Sequence, residues 1–323
     1  MKALVFGFSV TAETDGFVER WRSEFGQMQG LLEVAKVGIG GLQPYIIRHF
    51  FGTILDREAP TFVVIEIASA ITRKVEGTDV VVFDHTRTLL AIFNECCSRG
   101  IRCGILDLPL IGLDPTKDWM SDLHAMQCAR FNVAHFRDDL DPTALKDVVH
   151  PNEKGKILYA GALQKLFEKM LAATPDFAHL EPVNEFGAFP IESLMTTGGI
   201  ERNFERAGFV AKAVSVDENQ TISISLPRIV VVSGVLALMG PRSGMMEVTT
   251  GARSTIIRCY DSHCYYERVG GMRITPTECD FLLIKQLPGI PSDIQLQKGE
   301  RNDGHRIGAI THVLYESRRG TSL

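Results

Sequence analysis

A serine, an aspartate and a histidine lie where predicted strands or loops lead into predicted helices. Ser9 follows the apolar run of residues 2–8, and Asp147 and His150, separated by two residues, precede a long amphipathic segment. A histidine can take the proton of a serine hydroxyl and later return it to a leaving group, while a carboxylate holds the imidazole in the required tautomer. These residue types predict a serine hydrolase with Ser9 as nucleophile, His150 as base and Asp147 as orienting acid.

Each of these residues also has a structural interpretation. Taken alone, Ser9 is more readily a helix N-cap or a turn serine. Asp147 can cap a turn, and His150 can be a surface residue in front of a proline. The spacing of Asp147 and His150 alone favours the structural interpretation, but the residues that follow, 151–155, and the amphipathic helix predicted at 153–172 favour the catalytic one.

Apolar strands and amphipathic helices alternate through the first 172 residues. Strands are predicted at 2–8, 31–39, 61–67, 101–106 and 131–136, and helices at 15–25, 44–55, 86–99, 119–130 and 153–172. Such alternation predicts an α/β domain with a parallel sheet and helices on both faces. In such sheets, functional sites form at the carboxyl ends of the strands, and Ser9 follows the first strand.

The blocks around these residues resemble the SGNH (GDSL-like) hydrolase family over about residues 1–172. Residues 147–155 are similar to the family's last block, in which D-x-x-H precedes the final helix. Gly7 and Ser9 match the first block, although Phe8 stands where the family usually has aspartate. The resemblance implies a flavodoxin-like three-layer α/β/α fold and ester hydrolysis by a Ser-His-Asp triad.

The resemblance also implies where a developing oxyanion would be held. Gly41 takes the place of the family's oxyanion-hole glycine, so the backbone N–H groups of Ser9 and Gly41 are expected to form the oxyanion hole. The third block departs from the family, because Ala70 stands where an asparagine is usual. Loss of one oxyanion donor typically costs about 10²–10³ in rate. A slow hydrolase, a hydrolase with another donor such as Ser69 or Thr72, and a protein that has lost the reaction all remain open.

The sequence pattern changes after about residue 174. Residues 175–207 contain three prolines and little periodicity, which predicts a linker or irregular connection. Residues 208–323 contain short apolar runs separated by glycine and proline turn signals, which predict a β-sandwich or jelly-roll-like domain. The predicted organisation is therefore an SGNH-like domain at 1–174, a connection at 175–207 and a β-rich domain at 208–323.

Composition excludes several functional classes. The net charge of -5 over 323 residues is not the basic footprint of a nucleic-acid-binding domain. No apolar run is long enough to predict a membrane span. Seven cysteines without a recognisable secretion signal predict reduced thiols and a cytoplasmic protein. The spacing of Cys259 and Cys264 does not fit common zinc sites, and we expect neither a metal nor a cofactor.

Two functional hypotheses follow from these patterns. The first is a serine esterase acting on a small-molecule or glycan ester, with carbohydrate O-deacetylation suggested by the SGNH resemblance and acyl transfer as a close variant. The second is a non-catalytic binding or assembly protein on the same scaffold, which Ala70 favours and the joint presence of Ser9, Asp147 and His150 opposes. Strand edges in the β-rich domain also suggest homo-oligomerisation through that domain.

Overall fold

The computed structural model describes residues 1–25, 33–138, 141–180, 185–300 and 304–317. The chain divides into two compact units. The first unit comprises Met1–Val183 with Ala207–Phe209, and the second comprises Asn184–Arg206 with Val210–Leu323.

A five-stranded parallel sheet forms the centre of the first unit. Its strands are β1 (Lys2–Gly7), β2 (Glu33–Gly38), β3 (Phe62–Glu66), β4 (Arg102–Asp107) and β5 (Ala134–Arg137). They lie in the order β2-β1-β3-β4-β5, and all neighbouring pairs are parallel. This is the flavodoxin-like strand order, which reverses direction between β1 and β3. The α/β fold predicted from the sequence is confirmed.

Helices cover both faces of this sheet. They are α1 (Ser9–Ala12), α2 (Phe17–Glu24), α3 (Pro44–Glu58), α4 (Asp79–Ser98), α5 (Trp119–Arg130) and α6 (Glu153–Ala172). Successive residues of a strand point to opposite faces. Val5 accordingly packs in the core formed with α2 and α6, whereas the ring of Phe6 lies 5.4 Å from that of Phe51 in α3.

Element boundaries differ from the prediction mainly where polar residues lie in helices. The helix predicted at 86–99 begins at Asp79, so Asp84 and His85 belong to α4 rather than to a loop before it. The short α1 was not predicted, because four residues are too few to show helical periodicity. Residues 31 and 32 of the second predicted strand lie outside the described residues. No helix in the described part of the chain is long and apolar enough to cross a membrane.

The second unit is an antiparallel sheet. Its strands are β6 (Glu185–Pro190), β7 (Met195–Thr197), β8 (Ile200–Arg206), β9 (Phe209–Asp217), β10 (Thr221–Met239), β11 (Met245–Thr250), β12 (Arg253–Arg258), β13 (Arg268–Gln286) and β14 (Ile307–Ser317). The main path runs β12-β11-β13-β10-β14-β9-β8, while β6 pairs with β14 and β7 with β10. The register of β10 against β13 shifts between Ser225 and Val230, which explains why its sequence resembles two shorter strands.

The segment for which the sequence predicts a linker, 175–207, contains β6, β7 and β8. The apolar periodicity of these strands is weak because few of their residues are buried. In β8 only Phe204 is buried. Pro190 ends β6, a position where a strand tolerates a missing N–H. Residues 181–184 of the predicted linker, and 301–303 and 318–323 of the predicted β-rich domain, lie outside the described residues.

Candidate active site

Ser9 lies at the carboxyl end of β1, as the first residue of α1. Phe8 occupies the N-cap position, so Ser9 is not the N-cap that its sequence context allowed. Gly7 pairs in register with Glu66 of β3, and a Cβ on Gly7 would lie 2.9 Å from Glu66 Oε2. Within the described residues, the half-buried hydroxyl of Ser9 makes no hydrogen bond, which leaves it available to a substrate.

Asp147 and His150 form a hydrogen-bonded pair in the loop before α6. Nδ1 of His150 lies 2.9 Å from Asp147 Oδ2, and the backbone N–H groups of Val149 and His150 donate to Asp147 Oδ1 at 3.0 and 2.9 Å. Partial burial raises the pKa of Asp147, but these donors and the nearby imidazole outweigh it, so the pKa lies below its ordinary value. The aspartate therefore both caps the turn and orients the histidine.

Two ion pairs connect this region to the segment that follows α1. Lys146 Nζ lies 2.6 Å from Glu13 Oε1, and Lys156 Nζ lies 3.4 Å from Asp15 Oδ2. Because Glu13 immediately follows α1, the loop carrying His150 lies beside the chain that leaves Ser9. No hydrogen bond joins Ser9 to His150 among the described contacts, and His150 Nε2 has no protein partner there.

Gly41 lies between β2 and α3, and its conformation requires glycine. Its φ of 78° is in the left-handed region, which residues with a Cβ rarely adopt. The connection between β2 and α3 is attached to β1, because the N–H of Ile39 donates to the carbonyl of Gly7 at 2.9 Å. Gly41 is thus held at the sheet edge where Ser9 lies.

Ala70 is buried and precedes a 3-10 turn at Ile71–Lys74. The Thr72 hydroxyl oxygen is buried and, among the described residues, has no hydrogen-bond partner. The Ser69 hydroxyl lies near the Glu66 carboxyl but lacks the geometry of a hydrogen bond to it. Of the two alternative donors suggested by the sequence, Thr72 is therefore the one whose hydroxyl stands apart from Glu66.

Arg73 fixes the backbone after β3 and was not recognised from the sequence in this role. Its guanidinium makes a two-pronged contact with the Asp118 carboxylate, at 2.8 and 2.6 Å. It also donates to the carbonyl oxygens of Ala68 and Leu108, at 3.1 and 2.7 Å. A buried arginine with all these partners is a structural anchor.

A second polar cluster, missed by the sequence analysis, lies at the carboxyl ends of β4 and β5. Its centre is the fully buried Asp107, which is bound by the Ser121 hydroxyl at 2.6 Å, by His124 Nδ1 at 2.7 Å and by His135 Nε2 at 2.8 Å. His124 Nε2 in turn lies 2.8 Å from His85 Nε2. Burial lowers the pKa of His85 to about 3.

This Asp107 cluster gave no local sequence signal, because its hydrogen-bonded pairs are 14 to 39 residues apart along the chain. The sequence feature that pointed to this cluster was Asp107, an aspartate at the end of an apolar strand. In the described part of the chain, no three or more histidine, cysteine, aspartate or glutamate residues are placed to hold a metal ion.

Comparisons with known proteins were made at the level of sequence and of structure. No protein-family model matches the chain, and no curated protein matches it by sequence. Among solved structures, a two-domain esterase active on acetylated mannans superposes with a TM-score of 0.70 at 10% identity, over 99% of this chain and 92% of that chain.

Two further solved structures match about half of the chain. An acetyl xylan esterase aligns with 51% of this chain and 98% of its own, at 16% identity and a TM-score of 0.45. A GDSL-like lipase from Bacteroides thetaiotaomicron aligns with 52% of this chain and 88% of its own, at 17% identity and a TM-score of 0.40.

The fold belongs to the class that the sequence blocks resemble, an SGNH-like α/β unit on a parallel sheet. More particularly, the whole chain has the fold of a two-domain esterase, in which that unit is followed by an antiparallel β unit. The resemblance inferred from the sequence is therefore confirmed at the level of the fold.

Proposed function

We propose that the protein is a serine esterase that uses Ser9, His150 and Asp147. The observation that carries the proposal is the Asp147–His150 pair: the carboxylate occupies Nδ1 of the imidazole at 2.9 Å and leaves Nε2 open. The ion pair between Lys146 and Glu13 holds this pair beside the chain leaving Ser9. Among the described residues, the Ser9 hydroxyl has no protein partner and the His150 imidazole has one open nitrogen. Ester hydrolysis by a serine needs both of these groups.

The reaction follows from these positions. Ser9 Oγ attacks the acyl carbon while its proton passes to His150 Nε2, and Asp147 stabilises the imidazolium that forms. The N–H groups of Ser9 and Gly41 hold the oxyanion. His150 then returns the proton to the leaving alcohol, an acyl-enzyme remains on Ser9, and water attacks it with His150 again as base.

The substrate class that we propose is an O-acetylated carbohydrate. The two-domain esterase with the same fold acts on acetylated mannans, and that esterase was also crystallised in the presence of mannopentaose. Fold likeness at 10% identity supports the choice of the first substrate to try. Transfer of the acyl group to a sugar hydroxyl uses the same acyl-enzyme and is the nearest variant.

Acetate release from acetylated manno-oligosaccharides tests this proposal. Wild type is expected to release acetate, and Ser9→Ala is expected to lose this activity. Ser98→Ala is the matched control, since the exposed Ser98 hydroxyl donates to the Glu95 carbonyl and accepts from Arg99, both near the end of α4. Acetate release that persists in Ser9→Ala would refute the mechanism. Turnover of simple acetyl esters but not of the oligosaccharide would reject the carbohydrate substrate alone.

A non-catalytic binding protein is the second candidate, because Ala70 provides no side-chain donor. If the missing donor limits the rate, Ala70→Asn should raise kcat toward esters by up to about 10²-fold, since one oxyanion donor is typically worth about 10²–10³. Thr72→Val should lower kcat if Thr72 substitutes for that donor. A wild type that binds acetylated glycans without Ser9-dependent turnover, together with an Ala70→Asn variant that is equally inactive, would favour the binding protein.

A further inference from the structure

Glu66 lies beneath the proposed site and joins two of its parts. It is the last residue of β3, and its side chain is fully buried. The Thr11 hydroxyl donates to Glu66 Oε2 at 3.0 Å, and the Ser69 N–H donates to Glu66 Oε1 at 3.2 Å. Thr11 belongs to α1, the helix that begins with Ser9, and Ser69 directly precedes Ala70. One carboxyl thus bridges the nucleophile helix and the turn after β3.

The packing around this bridge leaves no room for a side chain at Gly7. Gly7 is the register partner of Glu66, and a Cβ at Gly7 would lie 2.7 Å from the Glu66 carbonyl oxygen and would also collide with the Thr11 hydroxyl. The glycine at the end of β1 is therefore required for α1 to pack over Glu66. This packing explains the glycine without reference to a substrate.

We propose that Glu66 is a positioning residue whose carboxylate couples the helix carrying Ser9 to the turn carrying Ala70, and so sets the nucleophile relative to the oxyanion hole. The inference rests on the proposed esterase function. It assigns no contact between Glu66 and the substrate, because both carboxylate oxygens are bound to protein donors.

The surroundings make this bridge sensitive to protonation. Burial raises the pKa of Glu66 to about 7, and the donors of Ser69 and Thr11 offset only part of that rise. The charged or titratable groups that interact with it are Arg73 in the following turn and Tyr159 of α6. Arg73 is bound to Asp118, and the Tyr159 hydroxyl is buried, without a hydrogen-bond partner among the described residues.

An ionised Glu66 accepts both hydrogen bonds, whereas a protonated one presents a hydroxyl in place of one acceptor. We therefore expect the activity to fall as the pH drops through about 7 because of Glu66. His150 must also be neutral to accept the Ser9 proton, and its contribution to the pH profile is shared by all variants that retain it.

Two substitutions distinguish the hydrogen bonds of Glu66 from its charge. In Glu66→Gln the amide oxygen can accept from Ser69 and the amide N–H can donate to Thr11, so the bridge persists without titration. Glu66→Gln should keep most of the kcat and lose one ionisation from the acid limb of its pH profile. Glu66→Ala should lose about 10²-fold in kcat with little change in KM, a typical cost of misplaced reacting groups.

Thr11→Val beside Thr88→Val is the decisive pair, because both remove one buried threonine hydroxyl without changing the side-chain shape. The Thr88 hydroxyl donates to a carbonyl within α4 and does not contact Glu66. We expect Thr11→Val to lower kcat at least about tenfold and to speed hydrogen exchange both in residues 8–12 and in residues 69–73. Thr88→Val should do neither.

The outcomes distinguish the inference from the function on which it rests. If wild type turns over esters through Ser9 but Thr11→Val matches Thr88→Val in kcat and in exchange at 69–73, the coupling role of Glu66 is overturned. If Glu66→Gln keeps the full acid limb, its role in the pH dependence is overturned. If wild type shows no Ser9-dependent turnover, the proposed function falls and the positioning role falls with it.

Discussion

Two aspartate–histidine pairs in the first unit have the same covalent parts and opposite surroundings. In both, a carboxylate binds Nδ1 of an imidazole, at 2.9 Å for Asp147–His150 and at 2.7 Å for Asp107–His124. The side chains of the first pair are 51% and 27% exposed, whereas both side chains of the second are 0% exposed. The residue types therefore do not distinguish a reactive pair from a structural one.

The second nitrogen of each imidazole is what distinguishes the pairs. His124 Nε2 is taken up by His85 Nε2 at 2.8 Å, and the side chains of both histidines are buried. His150 Nε2 has no protein partner among the described residues, as the proposed proton exchange with Ser9 requires. Burial makes the Asp107 cluster a contributor to stability, and partial exposure leaves the Asp147 pair free for chemistry.

The largest expected effect is a difference in kcat between variants of the two histidines. His150→Ala should lower kcat toward an activated acetyl ester by about 10⁴–10⁶-fold, the usual consequence of removing the base of a triad. His124→Ala should leave the kcat of the folded fraction within about an order of magnitude, because His124 is bound within the Asp107 cluster. Steady-state kinetics, normalised to folded protein by circular dichroism, provide the measurement. Equal losses in both variants would contradict the comparison.

The second effect is the pH dependence of stability. The pKa of His85 is lowered from 6.5 to about 3, so its contribution is fully present above pH 6.5 and is lost as the pH falls toward 3. A shift of that size corresponds to roughly 5 kcal/mol in the free energy of unfolding. Glu66 has the opposite sign, because its raised pKa makes the native state lose stability as the pH rises from 4.5 to about 7.

Comparison with His85→Gln isolates the His85 contribution, because glutamine can keep a hydrogen bond to His124 but does not titrate. Urea unfolding of both proteins between pH 3 and 8 gives the free energy of unfolding as a function of pH. The two curves should be parallel above pH 7 and diverge below pH 6.5, with wild type losing more stability. Curves that remain parallel down to pH 3 would show that His85 is not buried in its neutral form.

The third effect is that substituting the two aspartates has opposite consequences: one substitution mainly lowers stability and the other mainly lowers activity. Asp107→Asn should cost about 3–5 kcal/mol in the free energy of unfolding, because it leaves buried donors without a matching acceptor. Asp147→Asn should cost about 1 kcal/mol or less, as for exposed charge pairs, but should lower kcat by about 10⁴-fold, as expected when the orienting acid of a triad is lost. Urea denaturation and ester hydrolysis on the same samples measure both quantities.

The fold of the first unit was largely predictable from the sequence, because each strand and long helix has its own periodicity. The last helix was predicted at its observed bounds, 153–172, since Asn152 caps it and its apolar face is regular. The second unit was less predictable. β10 and β13 are each 19 residues long and irregular in register, so their sequences resemble several short strands.

The site was predictable only where its residues are close in sequence. Asp147 and His150 are three residues apart, so their pairing could be predicted from the sequence, whereas Asp107 and His124 come from different elements. Glu66 was visible as a carboxylate in an apolar strand, but its partners Thr11 and Ser69 reach it through the packing of α1 and of the turn after β3. Long-range contacts of this kind leave no periodic signal in the sequence.

Labelling by a serine-directed phosphonate, read by mass spectrometry of the intact chain and its peptides, shows directly whether Ser9 is the nucleophile. We expect one adduct per chain, located on Ser9, that is absent in Ser9→Ala and formed far more slowly in His150→Ala. The buried Ser121, bound to Asp107, serves as an internal control and should stay unmodified. A wild type that hydrolyses esters while Ser9 remains unlabelled, or an adduct on another residue, would contradict the assignment of Ser9 as the nucleophile.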